Sequence, residues 1–129
     1  MAQMFPSFVD DEGNRELMKE ISEEELKEVL RSFQKDKSPG PDRWTIEFFL
    51  DLFEFLGNDL LAVAEDSRAS GRIPASFNST FIALIPKSDN ALTLNDFRPI
   101  SLCNCIYKII SKVISRRLKS ILSKNISAE

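Results

Sequence analysis

One arginine occupies an unusual position for a charged residue. Arg98 lies between a phenylalanine and a proline in NDFRPISL, residues 95–102, a stretch that otherwise has the composition of a buried strand. A guanidinium is costly to bury because it stays charged, so its head must reach water or an anion. An ion pair with Asp96 or Asp89 is one interpretation, and an anion bound from outside the chain is another.

A second group of candidate residues lies on a long amphipathic helix. Apolar residues recur at i, i+3, i+4 and i+7 over residues 106–122, and Asn104 is the predicted N-cap. The basic residues on the opposite side, which we call the basic stripe, are Lys108, Lys112, Arg116 and Lys119, with Arg117 flanking them. Such a stripe can contact phosphates, or it can be the solvated face of an ordinary amphipathic helix.

Several classes of catalytic and metal site find no support in the sequence. It contains no histidine, and neither of the common glycine-rich phosphate-binding patterns occurs. Cys103 and Cys105 are one residue apart, a spacing that rarely forms a disulfide, so both are predicted to be free packed thiols. Asp10 and Asp11 could hold a divalent cation, but adjacent aspartates arise by chance in so acidic a segment. We therefore predict no catalytic residue and no metal site in this chain.

Charge is distributed unevenly along the 129 residues. The net charge is −6 over residues 1–30, −3 over residues 31–70 and +6 over residues 71–129. The basic C-terminal part is therefore the candidate for contact with a polyanion. The length suits one domain or a piece of one. Because no apolar run approaches the roughly 20 residues that span a bilayer and no targeting signal is visible, we expect an intracellular protein of the cytoplasm or nucleus without membrane contact.

The first half of the chain is predicted to be helical. Residues 1–20 lack clean periodicity and are predicted to be a loosely ordered acidic lead-in. Ser22 and Glu25 have the spacing of a capping box, which predicts a helix over residues 23–34. Two prolines and a glycine in residues 35–42 end that helix.

The second half is predicted to combine helices with one hairpin. Apolar residues at helical spacing over residues 44–71 predict one long helix, or two that break near Gly57. Residues 81–85 read as a strand, and residues 97–102 read as its hairpin partner, with Pro99 confining that strand to an edge. A lone hairpin is marginal in water, so helices are expected to cover one of its faces.

Three sequence blocks in fixed order resemble a known family. They are KDKSPGPDRW at residues 35–44, NSTFIALIPK at residues 78–87, and NDFRPISLCNCIYKIISKVISRRLKSIL at residues 95–122. Together they resemble the start of the reverse transcriptase domain of non-LTR (LINE-type) retrotransposons, especially those of plants. The resemblance implies an α+β fold, a mostly helical fragment with one β-hairpin that forms the partial fingers of a right-hand polymerase. Residues 21–129 would then be a partial reverse transcriptase domain that lacks the palm.

The resemblance also implies roles for individual residues. Lys87 and Arg98 match the fingers residues that grip the incoming nucleotide in this family, and a guanidinium can bind phosphate with two parallel hydrogen bonds. Template-contacting residues would be Lys108, Lys112, Arg116 and Lys119. The implied partners are an RNA template and a deoxynucleotide. In the intact enzymes of this family, magnesium is the metal used in catalysis. It is held by aspartates that would lie downstream of this chain. The resemblance therefore implies no cofactor and no polymerase activity for the chain alone.

Arg43 departs from the family pattern, which usually has glycine at this position. We therefore expect the SPGPD turn to lose a backbone conformation with positive φ. A decayed or truncated copy of an element would explain this departure together with the absent palm.

Three other interpretations remain open. The chain could be a module that binds nucleic acid non-specifically, a non-functional relic of an element, or a helical interaction protein without any nucleic-acid partner. For the polymerase fragment, some apolar surface made for the missing palm should be exposed. Self-association through that surface is an expected consequence.

Overall fold

The computed structural model describes residues 9–126. It confirms the α+β class, with several helices and a single hairpin in this part of the chain. The order of elements is α1 (Asp11–Met18), α2 (Glu23–Arg31), α3 (Ile46–Asp51), α4 (Phe53–Ser70), β1 (Thr80–Pro86), a 3₁₀ turn (Leu94–Asp96), β2 (Phe97–Cys103) and α5 (Cys105–Ile126). No described helix combines the length and the apolar character needed to span a membrane.

α1 lies in a segment for which the sequence predicts no regular structure. The Asp10 carboxylate accepts a hydrogen bond from the N–H of Gly13 at 2.7 Å and so caps the helix N-terminus. No residue of α1 is buried, which explains why no apolar periodicity marks this helix. Asp10 therefore has a local structural role. Phe8, which precedes this acidic pair, lies outside the described residues.

α2 confirms the predicted helix, although it ends at Arg31 instead of residue 34. The Ser22 hydroxyl accepts a hydrogen bond from the N–H of Glu25 at 3.1 Å, which is the first half of the predicted capping box. The Glu25 carboxylate is directed elsewhere. It accepts hydrogen bonds from the Arg117 guanidinium of α5, with distances of 2.8 Å and 2.6 Å between the paired nitrogens and oxygens. Glu25 thus links two helices.

Helices α3 and α4 are separated at Leu52, so the predicted break near Gly57 is wrong. Gly57 is buried inside α4, and a Cβ placed there would lie 2.8 Å from the ring of Phe53. The glycine therefore permits close packing and does not interrupt the helix. The predicted end of α4 at Gly71 is confirmed, with φ of 66° in the left-handed region.

The predicted hairpin is confirmed in both its strands. β1 and β2 pair antiparallel, with Ile85 opposite Arg98 and Leu84 opposite Pro99. Residues opposite each other share a face of the hairpin. Arg98 therefore lies on the face that also carries Ala83 and Ile85. We call this face the inner face.

The hydrophobic core is built by helices. The buried side chains of α2, α3, α4 and α5 form one cluster, and none of its described members belongs to the hairpin. Full burial of a large aliphatic side chain contributes about 1.5–3 kcal/mol, so these helices carry most of the stability. The core residues of α2 and α5 are Leu26, Val29, Leu30, Cys105, Ile109, Ile110 and Val113.

The hairpin extends beyond this core, contrary to the expectation that helices would cover one of its faces. Ile82, Leu84 and Ile85 are 70%, 51% and 45% exposed. In β2, Leu102 and Cys103 are half-buried, which places the contact with the helical body at the end of the hairpin nearest α5. The expected exposure of apolar surface is therefore present.

Candidate nucleic-acid interface

The loop between α2 and α3 is fixed to the start of α5 by one carboxylate. Asp42 accepts hydrogen bonds from the N–H of Trp44 and from the N–H of Cys105, both at 3.2 Å. A carboxylate at the first N–H groups of a helix satisfies donors and complements the helix dipole. Asn104, the predicted N-cap, uses its side chain differently: its amide oxygen accepts from the N–H of Asp42 and its amide nitrogen donates to the carbonyl of Ser76, at 3.0 Å and 2.9 Å.

Gly40 brings the same loop into direct backbone contact with the strand-to-helix junction. A Cβ at this position would lie 2.4 Å from the carbonyl carbon of Cys103 and 2.5 Å from the backbone nitrogen of Asn104. No side chain can therefore replace the hydrogen atom without moving the backbone. Cys105 is buried beside this junction, and desolvation, followed by the charge of Asp42, raises the pKa of its thiol to about 12. Cys105 is therefore a packed, unreactive thiol at neutral pH.

Arg43 keeps the positive-φ backbone conformation that we expected the SPGPD turn to lose. Its φ is 62°, in the left-handed region that favours glycine. The N–H of Arg43 donates to the carbonyl of Gly40 at 3.0 Å, which closes the turn. The expectation of a changed turn is therefore wrong, because the contacts of Asp42 and Gly40 impose the turn on whichever residue follows.

Lys87 and Arg98 lie near each other at the outer end of the hairpin. The N–H of Lys87 donates to the carbonyl of Asp96 at 2.8 Å, which extends the ladder by one residue beyond β1. Lys87 is thus a diagonal neighbour of Arg98, a relationship with typical Cα separations of about 7–8 Å. The Lys87 ammonium donates to the carbonyl of Asn95 at 2.6 Å and remains exposed.

The Arg98 side chain is exposed and forms no ion pair or hydrogen bond with any residue in the described part of the chain. The proposed pairing with Asp96 is absent because that carboxylate accepts from the N–H groups of Leu92 and Thr93 and from the Thr93 hydroxyl. These hydrogen bonds, with those from Thr93 first, lower the pKa of Asp96. The guanidinium of Arg98 therefore keeps all its donors for water or for an external anion.

The basic stripe divides into residues with different surroundings. The Lys108 ammonium donates to the carbonyl of Ser38 at 3.4 Å, and the Lys112 ammonium lies 5.3 Å from the centre of the Phe33 ring. Lys119 is exposed.

The two arginines of this helix face acidic side chains of α2. Arg116 pairs with Glu28 at 3.0 Å, and both side chains are substantially exposed. Such surface pairs contribute about 0–1 kcal/mol, so a phosphate could replace the carboxylate at small cost. Arg117 is held more firmly, because its side chain is only 13% exposed and it forms two hydrogen bonds with Glu25. The hydrogen bonds that Arg117 donates to the Glu25 carboxylate raise the pKa of the guanidinium.

A groove of about 800 Å³ separates the inner face of the hairpin from the helical body. One wall is apolar and is formed by Ala83, Ile85, Ile100 and Leu102. The other wall carries two aromatic and three basic side chains, which are Phe33, Trp44, Lys37, Lys108 and Lys112. Lys37 and Trp44 were not among the candidate residues predicted from the sequence. Both belong to the block KDKSPGPDRW, residues 35–44, in which only the turn residues were noticed. The position of this block ahead of the hairpin in the chain was the one sequence feature that could have indicated them.

Glu47 contributes a negative charge to this groove. Its carboxylate accepts a hydrogen bond from the N–H of Asp36 at 2.8 Å. Hydrogen bonds from its own backbone and then from that of Asp36 lower its pKa, so Glu47 is ionised at neutral pH. Three lysines still outnumber this carboxylate, and the groove is basic.

The chain is similar to part of a known transposon protein. It is 36% identical over 116 residues to the "Transposon TX1 uncharacterized 149 kDa protein" of Xenopus laevis. The match covers 90% of this chain and 9% of that protein, so the chain corresponds to a small segment of this relative. No protein-family model matches the chain. The similarity nevertheless supports a transposon origin for this sequence.

Proposed function

We propose that the chain is the nucleotide- and template-contacting fingers region of an RNA-directed DNA polymerase from a LINE-type retrotransposon. One observation carries the proposal: the Arg98 guanidinium has no partner among the residues that the structure describes, and it lies beside Lys87 on a hairpin that borders a basic groove. The similarity to a transposon protein supports this assignment.

In this proposal the hairpin binds the triphosphate of a deoxynucleotide. The planar guanidinium of Arg98 donates two parallel hydrogen bonds to phosphate oxygens, and the Lys87 ammonium adds a point charge. Lys108 and Lys112 face the template backbone from the groove, while Arg116 and Lys119 extend that contact along α5. The residues between 9 and 126 contain no group of three acidic or cysteine side chains that could hold a metal ion, so we derive no magnesium-dependent step from them.

Binding of single-stranded RNA at increasing salt tests the template contact. For single strands the logarithm of affinity falls with the logarithm of salt by about 0.7 per phosphate contact. The double variant Lys108→Ala, Lys112→Ala should therefore lower this slope by about 1.4. A matched control is Arg15→Ala, Arg31→Ala, which removes two positive charges from the exposed surfaces of α1 and α2. Equal slopes for the two double variants would contradict the proposed template contact.

Binding of a labelled deoxynucleoside triphosphate tests the role of the hairpin. Arg98→Lys keeps the positive charge but loses the planar guanidinium that can form two parallel hydrogen bonds with a phosphate. We expect this variant to bind triphosphate more weakly and RNA as well as before. RNA binding without any triphosphate binding would favour the alternative of a non-specific nucleic-acid-binding module. Failure to bind either ligand at low salt would favour a non-functional relic.

A further inference from the structure

Trp44 is unusually exposed for its size. Its side chain is 47% exposed, although tryptophan is normally well buried because it carries a large apolar surface. The indole packs against the Phe48 ring, with centroids 4.1 Å apart and planes inclined by 33°. The exposed part of Trp44 lines the groove. Phe48 therefore holds the indole ring in place, and the exposed part of the ring remains available to a ligand.

Basic side chains line the same groove as this exposed indole. Lys37, Lys108 and Lys112 line the same groove, and each ammonium has more than one donor. Lys108 and Lys112 are one helical turn apart and can contact successive positions of an extended polyanion. A basic groove with an aromatic platform is the combination that binds single-stranded nucleic acid, because bases stack on the ring while phosphates contact the lysines.

The position of Trp44 is coupled to that of the lysines. The Asp42 carboxylate accepts from the N–H of Trp44 and from the N–H of Cys105, which begins α5. Lys108 follows within the first turn of that helix. One carboxylate thus links the backbone at Trp44 to the start of the helix that carries Lys108.

We propose that Trp44 stacks against an unpaired base of a single-stranded nucleic acid whose backbone lies along Lys108 and Lys112. The ligand class rests on the proposed function, and the inference adds the residue that contacts the base and the requirement for an unpaired strand. Base faces in a duplex are already stacked, so a double helix offers Trp44 no comparable surface.

The chain contains a single tryptophan, which makes its fluorescence a direct reporter. We would titrate the 129-residue chain with a 12-nucleotide oligouridylate, recording tryptophan fluorescence and, in parallel, the anisotropy of the labelled oligomer. We expect quenching with the same midpoint as the anisotropy change. Trp44→Ala should weaken binding about tenfold, and Trp44→Phe should retain most of the affinity.

An abasic oligomer of the same length and a duplex of the same sequence are the matched ligands. The abasic oligomer keeps the phosphates without the bases, so it should bind more weakly and cause no quenching. The duplex should also leave the fluorescence unchanged. If Trp44→Ala alters the far-UV circular dichroism, the comparison of normal and abasic oligomers on the unmodified chain decides the question.

Two results would overturn the inference and remain distinguishable from each other. Salt-sensitive oligouridylate binding without quenching, and with equal affinity for the abasic oligomer, would exclude stacking on Trp44 but leave the proposed template contact intact. Absence of binding at low salt would contradict both the inference and the proposed function.

Discussion

At the scale of single residues, Arg43 shows how long-range contacts override a local preference. A residue other than glycine in the left-handed region raises the free energy of the folded state by about 1–2 kcal/mol. Arg43 nevertheless adopts this conformation, with φ of 62°, because Gly40 and Asp42 in the same turn are fixed against the start of α5. The sequence identified Arg43 as a departure from the family pattern, but it could not indicate that the turn survives.

Arg43→Gly should stabilise the chain by about 0.5–1 kcal/mol. The substitution removes the backbone strain, and the greater freedom of glycine in the unfolded chain offsets part of the gain. Urea denaturation followed by circular dichroism measures the difference. Arg43→Ala is the control, because it removes the same charge but keeps the Cβ and should leave stability nearly unchanged. A stabilisation shared by both variants would indicate a charge effect instead.

At the scale of elements, the local periodicities were sufficient to predict α2, α5 and both strands, because each depends on residues close in sequence. Contacts between elements were not predictable in this way. The side chain that accepts from the N–H of Cys105 at the start of α5 belongs to Asp42, 63 residues away, and not to the neighbouring Asn104. Arg117 and Arg116 are neighbours in sequence, and periodicity alone could not show that only Arg117 is held firmly.

Arg117 joins three helices through one side chain. Besides Glu25, its guanidinium donates to the carbonyls of Leu17, Lys19 and Glu20 at the end of α1 and in the following loop, at 3.1 Å, 2.5 Å and 3.2 Å. A cluster of charge-assisted hydrogen bonds with so little exposure is costly to break, because its removal leaves Glu25 and the carbonyls without their donor.

Arg117→Ala should therefore destabilise the chain by about 2–3 kcal/mol. Arg116→Ala removes the same kind of side chain from the next position and should cost less than about 1 kcal/mol, because its pair with Glu28 is exposed. Urea midpoints at constant ionic strength compare the two variants. Equal losses would show that the cluster around Arg117 is no stronger than a surface ion pair.

At the scale of the whole molecule, the helical core and the hairpin differ in how they are stabilised. Among the described residues, the core cluster contains no residue of either strand. The hairpin, in contrast, leaves Ile82 and Leu84 exposed on the face opposite Arg98. Sequence reasoning predicted both strands and the presence of exposed apolar surface. It could not predict that the helices leave this face uncovered, because that depends on how the loop at Gly40 holds the hairpin against α5.

This open face should drive self-association at high protein concentration, since contiguous exposed apolar surface and an uncovered hairpin both favour contacts between chains. Ile82→Thr combined with Leu84→Thr keeps β-propensity while removing apolar area, so it should reduce association without changing the fold. Sedimentation velocity over a range of protein concentrations measures the change, with circular dichroism as the check on folding. Phe55→Thr is the control, because this residue is 80% exposed but belongs to α4 and not to the hairpin. If Phe55→Thr reduces association as much as the double variant does, total apolar exposure rather than the hairpin face is responsible.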